Sequence, residues 1–317
     1  MPGYQIPLTT VDANTTINNQ KLVTTGNDIG KNYIINGGFD VWQRGNSVSI
    51  AQGYCGPDKW KADFAVAVCL GTWERGTFAP GQTDVPGNPK YYFRLNVTNT
   101  NGSATMEVNN HIEDVNTLAG ETVTLSFWAR INSGTRTISW IARQIFGTGG
   151  SGLVDTTFGA ANLTTAWQKF TFTITIPSIS GKTIGTDSSL RIFSTGYVGT
   201  PTAYQIDYAN IQLERGSTAT PFTRSGGTLA GELINCQRYY EKMSTVRFDT
   251  PSSGDWYHSI PFKVSKRVTP SITYSFSGES NTSNAATFID TDGFSFTTLQ
   301  SAGGYNIFGN IVISADI

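Results

Sequence analysis

Aromatic and arginine side chains recur at alternate positions of segments that have the pattern of β-strands. The set consists of Tyr92, Arg94, Trp128, Arg130 and Trp140. Flat aromatic faces stack on the C–H surfaces of pyranose rings, and planar polar groups bond to sugar hydroxyls. These residues therefore predict a glycan-binding row on one concave sheet. The alternative is that Trp128 and Trp140 belong to a second core layer or to a subunit contact.

Residues with catalytic potential do not form a recognisable motif. His111 and His258 have no nucleophile or acid at motif spacing, and GxSxG, HExxH and phosphate-binding glycine loops are absent from the sequence. A glycosidase needs two carboxylates flanking one bond, whereas the adjacent Glu113 and Asp114 would point to opposite faces of a strand. The stretch GTGGSG (147–152) precedes no helix and is interpreted as a hairpin tip. We therefore expect no enzymatic activity.

The composition limits the classes of partner. Lys plus Arg is 22 and Asp plus Glu is 23, so a net charge of −1 favours neither nucleic acid nor an anionic membrane as the main partner. No apolar run approaches the roughly 18 residues of a membrane span, and MPGYQIPLTT lacks the features of a secretory signal. Cys55, Cys69 and Cys236 have no CxxC spacing, which predicts three buried thiols, with a Cys55–Cys69 bridge as the alternative.

The elements that must position these side chains are strands. TVTLSFWARI (122–131), WQKFTFTITIP (167–177) and YQIDYANIQLE (204–214) alternate apolar and polar residues, and Gly, Pro and Asn lie between such segments. The pattern predicts an all-β fold, an antiparallel sandwich or barrel. Trp60 and Trp167 are assigned to its core.

The chain divides into four predicted parts. Residues 1–31 are poor in large apolar side chains and cannot fold alone, so they are interpreted either as disordered or as an extended arm that orders against a partner. After the candidate N-cap Thr228, apolar residues recur at helical spacing. This stripe consists of Leu229, Leu233, Cys236 and Tyr240. The parts are the arm (1–31), a β domain (32–225), a helical connector (226–243) and a small C-terminal β domain (244–317).

The last strand of the C-terminal domain is apolar on both faces. Ile307, Ile311 and Ile313 share one face of the segment 306–317, and the opposite face consists of Phe308 and Val312. This pattern predicts a strand covered on both sides, as at a subunit interface.

Several blocks resemble, in order, a family of tail-fibre and other surface-appendage proteins of tailed bacteriophages. The series begins with NYIINGGFDVWQRG and GYCGPDKWKAD. It continues with HIEDVNTLAGETVTLSFWARI, RQIFGTGGSG, AWQKFTFTITIP, YQIDYANIQLERGSTATPF, INCQRYYEK and IPFKVSKRVTPSITY. The resemblance depends on the order of these blocks over residues 32–275.

The resemblance implies a jelly roll similar to the carbohydrate-binding modules of glycoside hydrolases. IINGGFDVWQ (34–43) is then its first strand, bent at the glycines, with Phe39 and Val41 in the core.

The resemblance also implies a structural calcium ion between the first and last strands, with Asp40 and Asp207 as candidate ligands. Asp207 shares parity with Ile211 and Leu213, so it is expected to face the core, where a carboxylate needs a cation or N–H donors. The family's second acid is Tyr208 here. The alternative is that Asp207 only accepts backbone hydrogen bonds.

As a function, the resemblance implies a non-enzymatic virion fibre or spike subunit that attaches a phage to a bacterial surface glycan. Such a subunit would dock to other virion proteins through residues 1–31 and form a homotrimer. Two alternatives stay open, a structural virion decoration or spacer without glycan affinity and a surface-polysaccharide depolymerase.

Overall fold

A computed structural model describes residues 16–17, 20–21, 31–64, 69–100, 106–197, 203–250, 254–277, 282–300 and 305–317. Most of the predicted arm lies outside these residues. Within it, β1 (Thr16–Ile17) and β2 (Gln20–Lys21) pair antiparallel. The docking role of the arm stays a prediction.

The central part of the chain is a sandwich of two six-stranded antiparallel sheets, which we name the front sheet and the back sheet. In spatial order, the front sheet consists of β12 (Gln168–Thr175), β9 (Thr122–Ile131), β14 (Tyr204–Arg215), β7 (Tyr91–Thr100), β6 (Cys69–Thr77) and β3 (Ser47–Ser49). The back sheet consists of β11 (Val154–Leu163), β10 (Arg136–Ile145), β13 (Ser189–Thr195), β8 (Met106–Glu113), β5 (Trp60–Phe64) and β4 (Gly53–Tyr54). Consecutive strands repeatedly change sheet, and the fold is the predicted all-β jelly-roll sandwich.

The space between the two sheets is filled as the alternating pattern predicts. On β9, Leu125 and Phe127 are fully buried, whereas Trp128 and Arg130 on the opposite face are partly exposed. Trp60 on the back sheet lies in the same core, as predicted. One continuous core therefore fixes the orientation of the outer face of the front sheet.

Residues 34–43 form a compact turn instead of the predicted first strand. Asn36 has a φ of 58°, and its side chain closes the turn, since Nδ2 donates to Val41 O at 2.8 Å and Oδ1 accepts from Val41 N at 3.0 Å. The strand prediction was wrong because these local bonds replace those of a ladder. The predicted burial of Phe39 and Val41 is confirmed.

The predicted helical connector contains α1 (Leu229–Gln237). The Thr228 hydroxyl caps it by accepting from Gly231 N at 3.0 Å, as predicted. Cys236 and Tyr240 of the predicted stripe are buried. Within the described part of the chain, no helix has the length and apolar character needed to cross a membrane.

The prediction that Leu229 and Leu233 belong to a buried apolar stripe was wrong. Leu229 and Leu233 are 57% and 37% exposed, and Glu232 is buried instead. The Glu232 carboxylate accepts from Ser225 Oγ and Gly226 N, both at 2.9 Å, and burial raises its pKa. The helix packs on this edge because the carboxylate satisfies donors of the preceding turn, a contact that apolar spacing does not reveal.

The C-terminal domain is a smaller sandwich with its own aromatic core. One sheet consists of β15 (Tyr240–Thr250), β20 (Tyr305–Ser314) and β17 (Ser271–Ser277), and the other of β16 (Gly254–Pro261), β19 (Gly293–Gln300) and β18 (Thr282–Thr287). On β20, Ile311 and Ile313 are fully buried, whereas Phe308 is 51% exposed. Coverage of that outer face by another subunit, as in the predicted homotrimer, stays a prediction.

The three cysteines are free and buried, which confirms the prediction of thiols and excludes the Cys55–Cys69 bridge. Burial raises the pKa of all three thiols. They are therefore poor nucleophiles and ligands at neutral pH.

Candidate functional site

The outer face of the front sheet carries most of the side chains that the sequence analysis selected. Trp128 on β9 lies opposite Lys169 on β12. In a neighbouring row, Asp207 on β14 lies opposite Arg130 on β9 and Arg94 on β7. Opposed residues of an antiparallel pair project on the same side, so these side chains share one surface.

An open cleft of about 650 Å³ lies on this surface. Its floor consists of Ser126, Trp128, Lys169 and Asn210. The loop 86–90 forms one wall, and the segment 219–227 forms the other together with Gly38 and Asp40. The cleft therefore combines a partly exposed indole with amide and charged groups.

A β-bulge in β14 places Asn210 in the cleft. The pairing with β9 shifts between Ala209 and Gln212, and Asn210 has a φ of 51°. Asn210 Nδ2 donates to Pro86 O at 3.4 Å. A bulge inserts one extra residue and redirects the side chains around it. Here it turns an amide toward the cleft and ties it to the first wall.

The first wall is anchored to the sheet by apolar contacts. Val85 is fully buried and packs with Tyr92 and Ala209. Gln82 braces this turn, because its side chain accepts from Val85 N at 2.9 Å and donates to Val85 O at 2.8 Å. The loop 86–90 therefore starts from a fixed point.

The second wall is held by carboxylates. Glu214, which is buried, accepts from the Thr220 N–H and from the Thr220 hydroxyl, both at 2.8 Å. Arg224 Nε donates to Asp40 Oδ2 at 2.7 Å. Both walls are therefore anchored by contacts within the chain.

Tyr92, predicted as a stacking residue, is covered. Phe78 and Trp167 pack on its ring with centroid distances of 5.0 and 5.7 Å, and Tyr92 is 8% exposed. The assignment of Trp167 to the sandwich core was wrong, because Trp167 shares the outward parity of Lys169. These aromatic residues form a second layer outside the front sheet. Trp128 packs against this layer as well, as the alternative interpretation of Trp128 predicted, and it stays partly exposed.

The prediction of Trp140 as a glycan-binding residue was wrong. Trp140 is 0% exposed, with ring centroids 5.0 Å from Phe127 and 6.3 Å from Tyr208. β10 follows β9 in the sequence but belongs to the back sheet, so Trp140 points into the space between the sheets. Trp128 is the tryptophan of the predicted row that lines the cleft.

Asp207 faces outward, contrary to the prediction. The bulge at Asn210 inverts the parity between Asp207 and Ile211, which is buried in the core. Asp207 Oδ1 accepts from Arg94 Nε at 2.8 Å, and Oδ2 accepts from Arg130 Nε at 2.9 Å. The two arginines are thus held beside the cleft, and their contact with a sugar stays a prediction.

Both predicted calcium ligands have arginine partners. Arg224 donates to the two oxygens of Asp40, at 2.7 and 3.3 Å. Arg94 and Arg130 likewise donate to the two oxygens of Asp207. Among the described residues, no group of three or more potential metal ligands is assembled. This donor set does not fit a calcium ion, and calcium binding itself stays a prediction.

The lining residues that sequence reasoning missed include Lys90, Lys169, Asn210 and Arg224. Lys169 could have been found from the sequence, because its position in the alternation of β12 places its side chain on the outer face of the sheet. Lys90 and Arg224 lie in loops, and no periodic pattern in a loop sequence predicts that the loop approaches the sheet. An asparagine inside a regular alternation is too weak a signal to reveal a bulge.

The cleft does not assemble acid–base chemistry from its described residues. Asp40 is the carboxylate among the described lining residues, and Arg224 binds it. Glycoside hydrolysis uses a pair of carboxylates. His111 lies on the back sheet 3.1 Å from Ser189 Oγ, and burial lowers its pKa to about 3. The expected absence of enzymatic activity stays a prediction.

No protein-family model matches the chain, and no curated protein matches it. Among solved structures, a CBM4 module is 22% identical, with a TM-score of 0.34 over 58% of this chain and 99% of the module. The CBM22-2 xylan-binding domain from Paenibacillus barcinonensis is 18% identical, with a TM-score of 0.34 over 54% of this chain and 98% of that domain. The enzymatically active domain of bacteriophage CBA120 tailspike protein 4 is 15% identical, with a TM-score of 0.32 over 59% of this chain and 22% of that chain.

Proposed function

We propose that the protein binds a glycan in the cleft of the front sheet without cleaving it. The observation that carries this proposal is the position of Trp128 on the cleft floor, between Lys169 and Asn210. An indole offers an apolar face to a pyranose ring, while amide and ammonium groups bond to its hydroxyls. An open cleft also suits a polymer, whose chain must pass through the site.

The fixed walls of the cleft favour binding. Val85 and Glu214 anchor them through buried contacts, so ligand binding orders little additional backbone. Sites that are formed beforehand lose less conformational entropy on binding, and more of the contact energy then appears as affinity.

We further propose that this binding serves host attachment by a virion appendage. The ordered blocks over residues 32–275 support this assignment through their resemblance to phage tail-fibre proteins. In this proposal residues 1–31 dock to other virion proteins and the chain forms a homotrimer. Light scattering on the purified chain should then give about three times the chain mass of 34.3 kDa, and a monomer at micromolar concentration contradicts the trimer.

Binding is tested with the purified full chain against immobilised bacterial surface polysaccharides of diverse composition. We expect saturable binding to at least one of them and no release of new reducing ends, with heat-unfolded protein as the control. Binding to none supports a structural decoration or spacer protein and overturns the proposal. Release of oligosaccharides supports a depolymerase instead.

A further inference from the structure

The cleft is positively charged, although the chain as a whole has a net charge of −1. Lys90, Lys169 and Arg224 line it, and Asp40 is the carboxylate among its described lining residues. Arg224 binds both oxygens of Asp40, so this pair is neutral. Neither Lys90 nor Lys169 forms an ion pair with a carboxylate that the structure describes. Lys90 and Lys169 therefore add two positive charges without a carboxylate partner to the lining of the cleft, and Lys90 Nζ lies 5.0 Å from the Tyr91 ring centroid.

Lys169 is the lysine next to the proposed stacking residue. Lys169 is directly opposite Trp128 in the β12–β9 pair, and opposed Cβ atoms in such pairs are about 4.5–5.5 Å apart. The exposed lysine can extend its stem along the indole and keep its ammonium at the edge of the ring. A sugar stacked on Trp128 would present its ring substituents to this charge.

We propose, resting on the glycan-binding function above, that the cleft selects acidic polysaccharides, whose sugars carry carboxylate or phosphate groups. Lys169 is the main specificity residue, and Lys90 adds a second charge from the loop wall. An anionic substituent gains charge-assisted hydrogen bonds from these ammonium groups, whereas a neutral sugar exchanges one solvated donor for another. Lysine acts as a point charge, so carboxylate and phosphate satisfy the same chemistry.

The ligand side of the test compares neutral and acidic bacterial polysaccharides at low salt. We expect acidic polymers to bind roughly tenfold more tightly than neutral ones. The tightest acidic ligand is then either carboxyl-reduced, which converts uronic acids into neutral hexoses, or dephosphorylated. The treatment that lowers affinity identifies the anion. Equal affinity for the two classes, or affinity unchanged by both treatments, overturns the proposal.

The protein side of the test uses Lys169→Gln and the double variant Lys169→Gln/Lys90→Gln. We expect roughly threefold and tenfold losses of affinity for the acidic ligand, both smaller at high salt. The matched control is Lys182→Gln, an exposed lysine outside the cleft, which should leave affinity unchanged. If Trp128→Ala loses binding while the lysine variants keep wild-type affinity, selection by charge is overturned and glycan binding in the cleft is retained. Absence of binding to every polysaccharide overturns the proposed function as well.

Discussion

The Ile211 N–H donates to the Gly37 carbonyl at 2.9 Å, which ties the opening turn of the jelly roll to the bulge of its last strand. The bulge residue Asn210 precedes this contact and points into the cleft. Asp207, on the other side of the bulge, is turned outward by the same irregularity. The opening turn therefore lines the cleft through Gly38 and Asp40 and also supports the bulge that carries Asn210.

Gly37→Ala tests this support. A Cβ at Gly37 would lie 2.0 Å from Ile211 O, a backbone atom that cannot rotate away. We expect a loss of about 1–3 kcal/mol in the free energy of unfolding, measured by urea denaturation. Gly152→Ala is the matched control, because a Cβ there meets no atom within 4 Å. A Gly37→Ala protein as stable as the control would show that the contact does not constrain the turn.

The alternation of apolar residues was sufficient to predict the all-β sandwich and the buried face of β9. It failed where a local irregularity or a distant pairing decides the outcome. The bulge at Asn210 leaves no visible break in the alternation of apolar residues. The sequence analysis therefore placed Asp207 on the wrong face of the sheet. Trp140 was misplaced because sequence order does not reveal which sheet a strand joins. The walls of the cleft depend on contacts such as Asn210 with Pro86, which no local pattern encodes.

Asp207→Asn tests the role of this carboxylate in the front sheet. The substitution weakens charge-assisted bonds to Arg94 and Arg130, and we expect a loss of about 1–3 kcal/mol in the free energy of unfolding. Asp155→Asn is the control, since its pair with Arg143 is more exposed and should contribute less than about 1 kcal/mol.

The same variant decides the calcium prediction. We expect the destabilisation by Asp207→Asn to be equal in calcium and in chelator, because the arginines already occupy the carboxylate. A loss of stability that occurs only in calcium would instead support a metal ion at this position. Thermal unfolding in the two buffers provides the measurement.

The buried Lys59, next to Tyr239 at the junction with the C-terminal domain, predicts that the free energy of unfolding depends on pH. It is 1% exposed, its Nζ lies 3.3 Å from the Tyr239 ring centroid, and burial lowers its pKa to about 7. Between pH 7 and the unfolded value near 10.4, the unfolded chain binds a proton that the folded chain lacks. The contribution of Lys59 to stability therefore rises with pH in this window, by at most about 1.4 kcal/mol per unit.

Lys59→Met should remove this dependence and raise stability at pH 7 and below. The quantity to measure is the difference in unfolding free energy between wild type and variant at pH 7 and 8, because the buried thiols titrate with the opposite sign in unfolded chains near pH 8.5. Lys182→Met, at an exposed position, is the control. A wild type and variant with parallel pH profiles would contradict the assignment.

Trp128→Ala gives the most direct test of glycan binding in the cleft. Affinity for the polysaccharide that binds most tightly and the free energy of unfolding should be measured on the same preparation. We expect at least a roughly thirtyfold loss of affinity, or about 2 kcal/mol, with only about 1 kcal/mol lost in stability. The fully buried Trp140 provides the contrast, because Trp140→Ala should cost about 3–5 kcal/mol of stability. A Trp128→Ala protein that keeps wild-type affinity, or that loses as much stability as Trp140→Ala, would contradict the assignment of the cleft as the binding site.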